Sequence, residues 1–510
     1  MKTAFNITKL CIVFFALIFT YLAFDKHQGN SFYYIAFSFL TNLLLIYSLN
    51  KKKLFFETFF ATLIWLGFWF KYTMSLIFRD GHLYDSGTPF NIINIDKALT
   101  PSIVAISAIF LGYIIRQKFF NIKINEPEHM SFFEKLYLNN KKLIMFLFIL
   151  SFCIIAYFNF YFNIYQKGFI YSHNISPIVV NFIKWMLLFG LTSFSCFFVY
   201  TEISRIKKFS LFVILVAFTE VFISYSSMLS RMLILAHAAI AYSYCKYLDI
   251  IKNKLTFFLF LFSIIVIMFV TNNYFSNDYR INYTINISSY EQYKENHIAK
   301  KKKLEKLLET KNYTKEELSK FEVKSKPSKL NTSLSLVINR WVGLESMLAI
   351  VSTDKLSFNL LLESFKEKKI IDSDTFYETT FYLNYDNDLI TPHLGKNVMF
   401  GEKRVLKGNT LPGIITFLFY SGSYYFLFVS IFILTLSFCW LEIICLKISN
   451  KNMIFAAFIS YTTTLRLFSF GYAPGDSYLY LFSIVGSMLL IAILSNYKSP
   501  FLQKFFKFEK

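Results

Sequence analysis

Apolar residues run along this chain in blocks about as long as a membrane is thick. Twelve stretches are nearly free of charge: 9–25, 31–49, 54–78, 100–116, 143–164, 177–201, 210–226, 229–248, 255–272, 423–446, 453–470 and 477–496. A helix rising about 1.5 Å per residue needs about 20 such residues to cross about 30 Å of hydrocarbon. The pattern therefore predicts an all-α fold, a polytopic membrane helix bundle of about 12 spans. One long polar break, 273–410, separates nine spans (1–272) from three (411–510) and predicts a large helical loop domain between spans nine and ten.

The loop carries patterns of its own. Residues 291–330 are densely charged, with Leu304, Leu307, Leu308, Leu318 and Phe321 as a thin apolar stripe, and read as a charged insertion over the membrane surface. Leu334 to Leu348 has helical spacing with one polar face, and a second amphipathic helix is expected near 355–369. An aromatic stretch then leads to an irregular run with His393, Gly395, Lys396, Gly401, Lys403, Arg404 and Gly408. Its glycines suit turns, or a backbone that approaches a ligand closely.

Composition agrees with the membrane class. Of 510 residues 55% are hydrophobic and 20% aromatic, and the mean hydropathy is +0.45, too apolar for a water-soluble surface. The formal charge of +21 is concentrated in short loops. Lys51–Lys53, Arg116 through Lys142, Arg205 to Lys208, Lys246 to Lys254, Lys447 to Lys451 and the tail from Lys498 all fall on one side of a twelve-span bundle. The positive-inside rule makes that side cytoplasmic. Both termini are then cytoplasmic and the 273–410 loop is extracytoplasmic. Because so much of the charge is topogenic, nucleic-acid binding is not expected. The first span ends Tyr21-Leu22-Ala23-Phe24-Asp25, without a small-x-small cleavage site, and is read as a retained helix. All six cysteines lie in predicted spans, which excludes a disulfide-stapled loop and a zinc spacing.

Charge inside a span is expensive and so is informative. Lys71, Lys184, Glu220, Arg231 and Arg466 all fall in the outer half of the predicted bundle. Each alone fits a side chain snorkelling to the interface; together they suggest a pocket for a polyanion. A lipid diphosphate has the matching shape, with its charged head at the surface and its tail in lipid. Arginine suits such a head through its forked donors, and no Walker loop, GxGxxG or HExxH competes for a phosphate or nucleotide role. Two D-x-D triplets, Asp372-Ser373-Asp374 and Asp386-Asn387-Asp388, are of a kind common in polar loops. No metal and no cofactor is expected.

Several features converge: twelve spans, cytoplasmic termini, Arg231 just after a short turn, a large outer loop between spans nine and ten, and Leu411-Pro412-Gly413-Ile414 through Ser423 leading into the tenth span. Together they resemble the superfamily of O-antigen polymerases (Wzy-type) and O-antigen ligases, polytopic glycosyltransferases with a GT-C-like fold. The resemblance covers nearly the whole chain as architecture, although the 291–330 insertion has no counterpart in it. It implies an inverting, metal-independent glycosyl transfer at the outer face of a bacterial inner membrane, with an undecaprenyl-diphosphate-linked oligosaccharide as donor. In that scheme Arg231 and Arg404 hold the diphosphate leaving group, and Lys71, Lys184, Arg340, Glu345 and Arg466 line the substrate site. His393, with an ordinary pKa near neutrality, is the candidate base for the acceptor hydroxyl. Expected partners are the lipid-linked oligosaccharide, membrane lipids, and the chain-length regulator and flippase of the same pathway. Three functions remain: a polymerase, a ligase that moves finished glycan to a lipid A core, and a flippase or other transporter. Arg340-Trp341-Val342-Gly343 and the turn into the tenth span look more like a polymerase.

Overall fold

The computed structural model describes residues 2–49, 54–79, 81, 83–85, 88–90, 95–119, 130–166, 169–171, 175–207, 209–230, 233–244, 257, 259–268, 270–271, 341–367, 375–381, 399–400, 403–405, 411–471 and 475–497. Within them the fold is all-α, with strands of only two or three residues. In hydrocarbon no water satisfies a backbone, and a helix satisfies its N–H and C=O groups within one segment.

In chain order the helices are α1 (Lys2–Phe24), α2 (Ser31–Ser48), α3 (Phe55–Arg79), α4 (Ile95–Phe119), α5 (Phe132–Asn139), α6 (Lys141–Tyr161), α7 (Pro177–Ile206), α8 (Leu211–Ser227), α9 (Leu233–Tyr244), α10 (Leu259–Met268), α11 (Leu344–Val351), α12 (Phe358–Ser364), α13 (Phe376–Phe381), α14 (Gly413–Leu418), α15 (Tyr424–Ile448), α16 (Met453–Phe468) and α17 (Gly475–Asn496). Each of the twelve apolar stretches holds one of these helices. Seven helices, α2, α3, α4, α6, α7, α15 and the Ser477–Asn496 part of α17, are long and apolar enough to cross a membrane. The Lys9–Phe24 part of α1, α8, α10 and α16 are apolar and shorter.

Two hydrophobic cores lie side by side. One is built by α1–α4, α11–α15 and the aromatic rings between them, the other by α5–α10, α16 and α17. Helices α15 and α16 join them: α15 gives Leu427, Ile431 and Cys439 to the first and Cys445 and Leu446 to the second, and α16 gives Leu467 to the first. The outward faces stay apolar. Leu143, Phe146, Leu150, Ile154 and Tyr157 of α6 are exposed at helical spacing, as are Leu479, Phe482, Leu489 and Ile493 of α17. Such stripes suit lipid rather than water.

The ends of the helices are fixed by polar contacts. Asn30 caps α2 through Phe32 N, and Asn452 caps α16 through Phe455 N, both at 2.9 Å. The start of α3 is capped from another span, with both oxygens of Glu442 accepting from Phe55 N and Phe56 N at 2.9 and 2.8 Å. Beside it Arg116 pairs with buried Glu57. Lys141 meets Glu202 at 2.8 Å and Arg205 meets Glu134 at 2.9 Å. Arg116, Lys141 and Arg205, cations read from the sequence as topogenic, thus also tie helices together.

Three tracts of wider π-type winding occur among the described residues, Trp65–Phe70 inside α3, Met186–Gly190 inside α7 and Glu202–Ile206 at the end of α7. A π turn inserts a residue and rotates the remainder of the helix, and such turns recur at functional sites.

Candidate functional site

The polar break does not simply hang outside the bundle. Where the described chain resumes at Trp341, it docks onto α3, and the contact is possible because two glycines meet. A Cβ on Gly343 would stand 1.9 Å from the carbonyl oxygen of Gly67, and one on Gly67 would stand 2.1 Å from that of Val342. Gly67 lies in the π tract of α3. One turn further on, Lys71 Nζ lies 2.6 Å from Glu345 Oε1 and donates to the Trp341 carbonyl at 2.8 Å. Gly343 N donates to the same Glu345 oxygen at 3.2 Å.

This pair is almost sealed, with the Lys71 and Glu345 side chains 2% and 3% exposed. Around it α11 is buried on all sides, Leu344, Met347, Leu348 and Ile350 each at 0%. The single polar face expected over 334–348 is therefore not a solvent face in its described part, because Ser346 is buried as well. Burial holds the Glu345 carboxyl above its ordinary value, and the Lys71 ammonium opposes that rise. Its second oxygen, the Ser346 hydroxyl and the Thr416 hydroxyl are buried with no hydrogen-bond partner among the described residues. An arrangement of this kind can hold a chain segment in place against the membrane core and keep a carboxyl in a dry setting.

The remaining residues predicted for the site divide into three groups. Arg231, Arg340, His393 and both D-x-D triplets lie outside the described residues. Arg404 is described through its backbone, in the ribbon of β1 (Phe169–Tyr171), β2 (Met399–Phe400) and β3 (Lys403–Val405). There it pairs with Ile170 and Met399, so the loop is sewn to the segment between α6 and α7. The third group is described but dispersed. Lys184 lies over the Tyr165 ring, 5.5 Å from its centroid. Arg466 donates to the Gly471 carbonyl at 2.8 Å and to Ser477 Oγ at 3.2 Å, closing the turn between α16 and α17. Of the described members, only Lys71 and Glu345 meet. The aromatic stretch that leads to the irregular run packs inward in its described part: Tyr377 and Phe381 are buried, and the Phe381 and Tyr420 rings are 5.2 Å apart. The helix expected over 355–369 is shorter, Phe358–Ser364, because Ser357 caps it by accepting from Leu360 N at 3.1 Å.

Sequence reasoning missed a second polar knot near Lys71. His27 Nδ1 and the Tyr72 hydroxyl are 2.8 Å apart, and His27 Nε2 is 3.6 Å from Asp96 Oδ1. The other Asp96 oxygen accepts from Asn30 N at 2.8 Å. His27 also stacks on Tyr34, with centroids 5.1 Å apart. Burial lowers the His27 pKa, opposed by Asp96. The knot ties the turn after α1 to α2, α3 and the start of α4. The sole signal in the sequence was a histidine in a short polar turn, Asp25 to Asn30.

No family model matches the chain, and neither a curated protein nor a solved structure does.

Proposed function

We propose that the chain is a twelve-span glycosyltransferase that joins lipid-diphosphate-linked oligosaccharide units at the outer face of a bacterial inner membrane, with both termini cytoplasmic. What supports this reading is the docking of the 341–351 segment onto α3 through Gly67, Gly343 and the buried Lys71–Glu345 pair. A transporter binds its substrate near the bilayer midplane. Here the returning loop is built into the bundle beside Gly67 and Lys71 of α3, and with cytoplasmic termini that half of α3 would be the outer one, where a lipid-borne substrate would present its head group.

In this reading Arg231 and Arg404 grip the departing diphosphate through paired hydrogen bonds, and His393 takes the proton of the acceptor hydroxyl. The bond from the sugar C1 to the diphosphate oxygen breaks as the bond to the acceptor oxygen forms. Lys71 is a positioning residue, since its charge is matched by Glu345, and Arg466 is one as well, since its donors are engaged by the α16–α17 turn. Cysteine labelling tests the placement on which everything depends. Sites at Lys52, Lys207 and Lys447 are expected to react from the cytoplasm, and sites at Ser325 and Asn397 from outside. Labelling of Asn397 from the cytoplasm puts Arg404 and His393 at the wrong leaflet and ends the proposal.

A further inference from the structure

Glu220 is a buried carboxylate that glycosyl transfer leaves unused. It sits near the middle of α8, about 13 Å along the helix from Leu211, and is 0% exposed. Among the described residues it makes no ion pair. Its neighbours are three hydroxyls: Thr192 Oγ1 at 3.5 and 3.4 Å from its two oxygens, Ser195 Oγ at 3.3 Å and Ser224 Oγ at 3.0 Å.

Those hydroxyls differ from many others in these helices, although Ser460 likewise donates to a buried carboxylate, that of Glu442, at 2.8 Å. Serine and threonine in membrane helices generally donate back to the carbonyl four residues earlier. Thr41, Ser193, Thr201, Thr435 and Thr464 all do so here, at 2.7 to 2.8 Å. Thr192, Ser195 and Ser224 turn instead toward the carboxylate. Thr192 and Ser195 come directly after the π tract Met186–Gly190, which rotates the rest of α7 and sets these two, three apart, on the face toward α8.

Ser224 makes an ordinary hydrogen bond to the carboxylate, and the other two hydroxyls stand further off. A good O–H···O bond is about 2.5–3.0 Å long, and the contacts from Thr192 and Ser195 are longer. Cations of calcium's size hold their oxygen ligands at about 2.4 Å, which sets neighbouring oxygens of one coordination shell about 3.4 Å apart. Sodium is of that size. One carboxylate is neutralised by one monovalent cation, whereas a divalent ion would leave net charge buried in the bundle.

We propose that Glu220, Thr192, Ser195 and Ser224 form a sodium site inside the bundle, joining α7 to α8. Its role is separate from glycosyl transfer and stands or falls on its own. The test is binding of radioactive sodium to the purified full-length chain, with the melting temperature in sodium chloride compared with choline chloride at equal ionic strength. The wild type is expected to bind sodium at one saturable site and to melt at higher temperature as sodium rises. Glu220→Gln is expected to lose both effects, and Thr192→Val and Ser195→Ala to weaken binding about tenfold or more. If Glu220→Gln does not fold, the two hydroxyl variants, which keep the carboxylate, decide. Absence of saturable binding in the wild type overturns the site, as does wild-type affinity in Glu220→Gln or in both hydroxyl variants. A melting temperature that tracks pH and ignores sodium also overturns it, and assigns Glu220 to a proton.

Discussion

Replacing Lys71 by Met tests the docking of the returning loop. The substitution keeps the length of the side chain and removes the ammonium that meets both Glu345 Oε1 and the Trp341 carbonyl. With the pair only 2% and 3% exposed, water does not replace the lost partner. Breaking a buried pair from one side typically costs about 3–5 kcal/mol, because the remaining charge is left uncompensated. Replacing both partners by apolar groups, Lys71→Met with Glu345→Leu, is expected to recover more than half of that loss. The pH dependence has a defined sign. The folded carboxyl is raised above its ordinary 4.5, so the folded state holds this proton more tightly than the unfolded chain. Its contribution to stability is full below about pH 4.5 and is lost as pH rises through the raised folded value. Removing Lys71 raises that value further, so Lys71→Met lies closest to the wild type in acid and falls further behind as pH increases. Thermal unfolding of detergent-purified protein, monitored by tryptophan fluorescence across pH, measures both effects. Single and double variants that differ from the wild type by less than about 1 kcal/mol, or losses that simply add, would refute the coupling.

Gly343→Ala is expected to undock the 341–351 segment, since its Cβ would stand 1.9 Å from Gly67 O, and overpacking of this kind typically costs about 1–3 kcal/mol. Faster proteolysis within 341–351 at unchanged bundle content would register it. The lowered His27 pKa makes stability full above about pH 6.5 and lost as pH falls through the folded value; His27→Gln is expected to flatten that acid limb in a pH series of melting temperatures. Arg404→Lys and Arg231→Lys are each expected to lose most glycan extension despite keeping their charge, and His393→Ala to lower turnover by about 10²–10⁴-fold. Extension at wild-type rate in these variants would remove those residues from the reaction.

The sequence reveals the helices and conceals their partners, for a physical reason. Apolar blocks such as 31–49 and 423–446 announce themselves because length and composition alone decide whether a helix can sit in lipid. The Lys71 pair does not, since Trp341 lies 270 residues away from it. Judged locally, Glu345 is measured only against Arg340, at a spacing that fits no helical pair. The π tracts of α3 and α7 leave no periodic signal, yet they set Gly67 against Gly343 and bring Thr192 and Ser195 to Glu220. Serines and threonines within apolar blocks read as neutral filler until a second helix supplies the carboxylate they face. His27 was hidden in the same way, because Tyr72 and Asp96 reach it from two other helices.

The central claim is tested most directly by purified protein in liposomes supplied only with lipid-diphosphate-linked repeat units. The account predicts a ladder of longer glycans still attached to the lipid diphosphate, with one lipid diphosphate released per bond formed and no lipid A core required. Growth only when a lipid A core is added, or units carried across the bilayer unchanged, would contradict it.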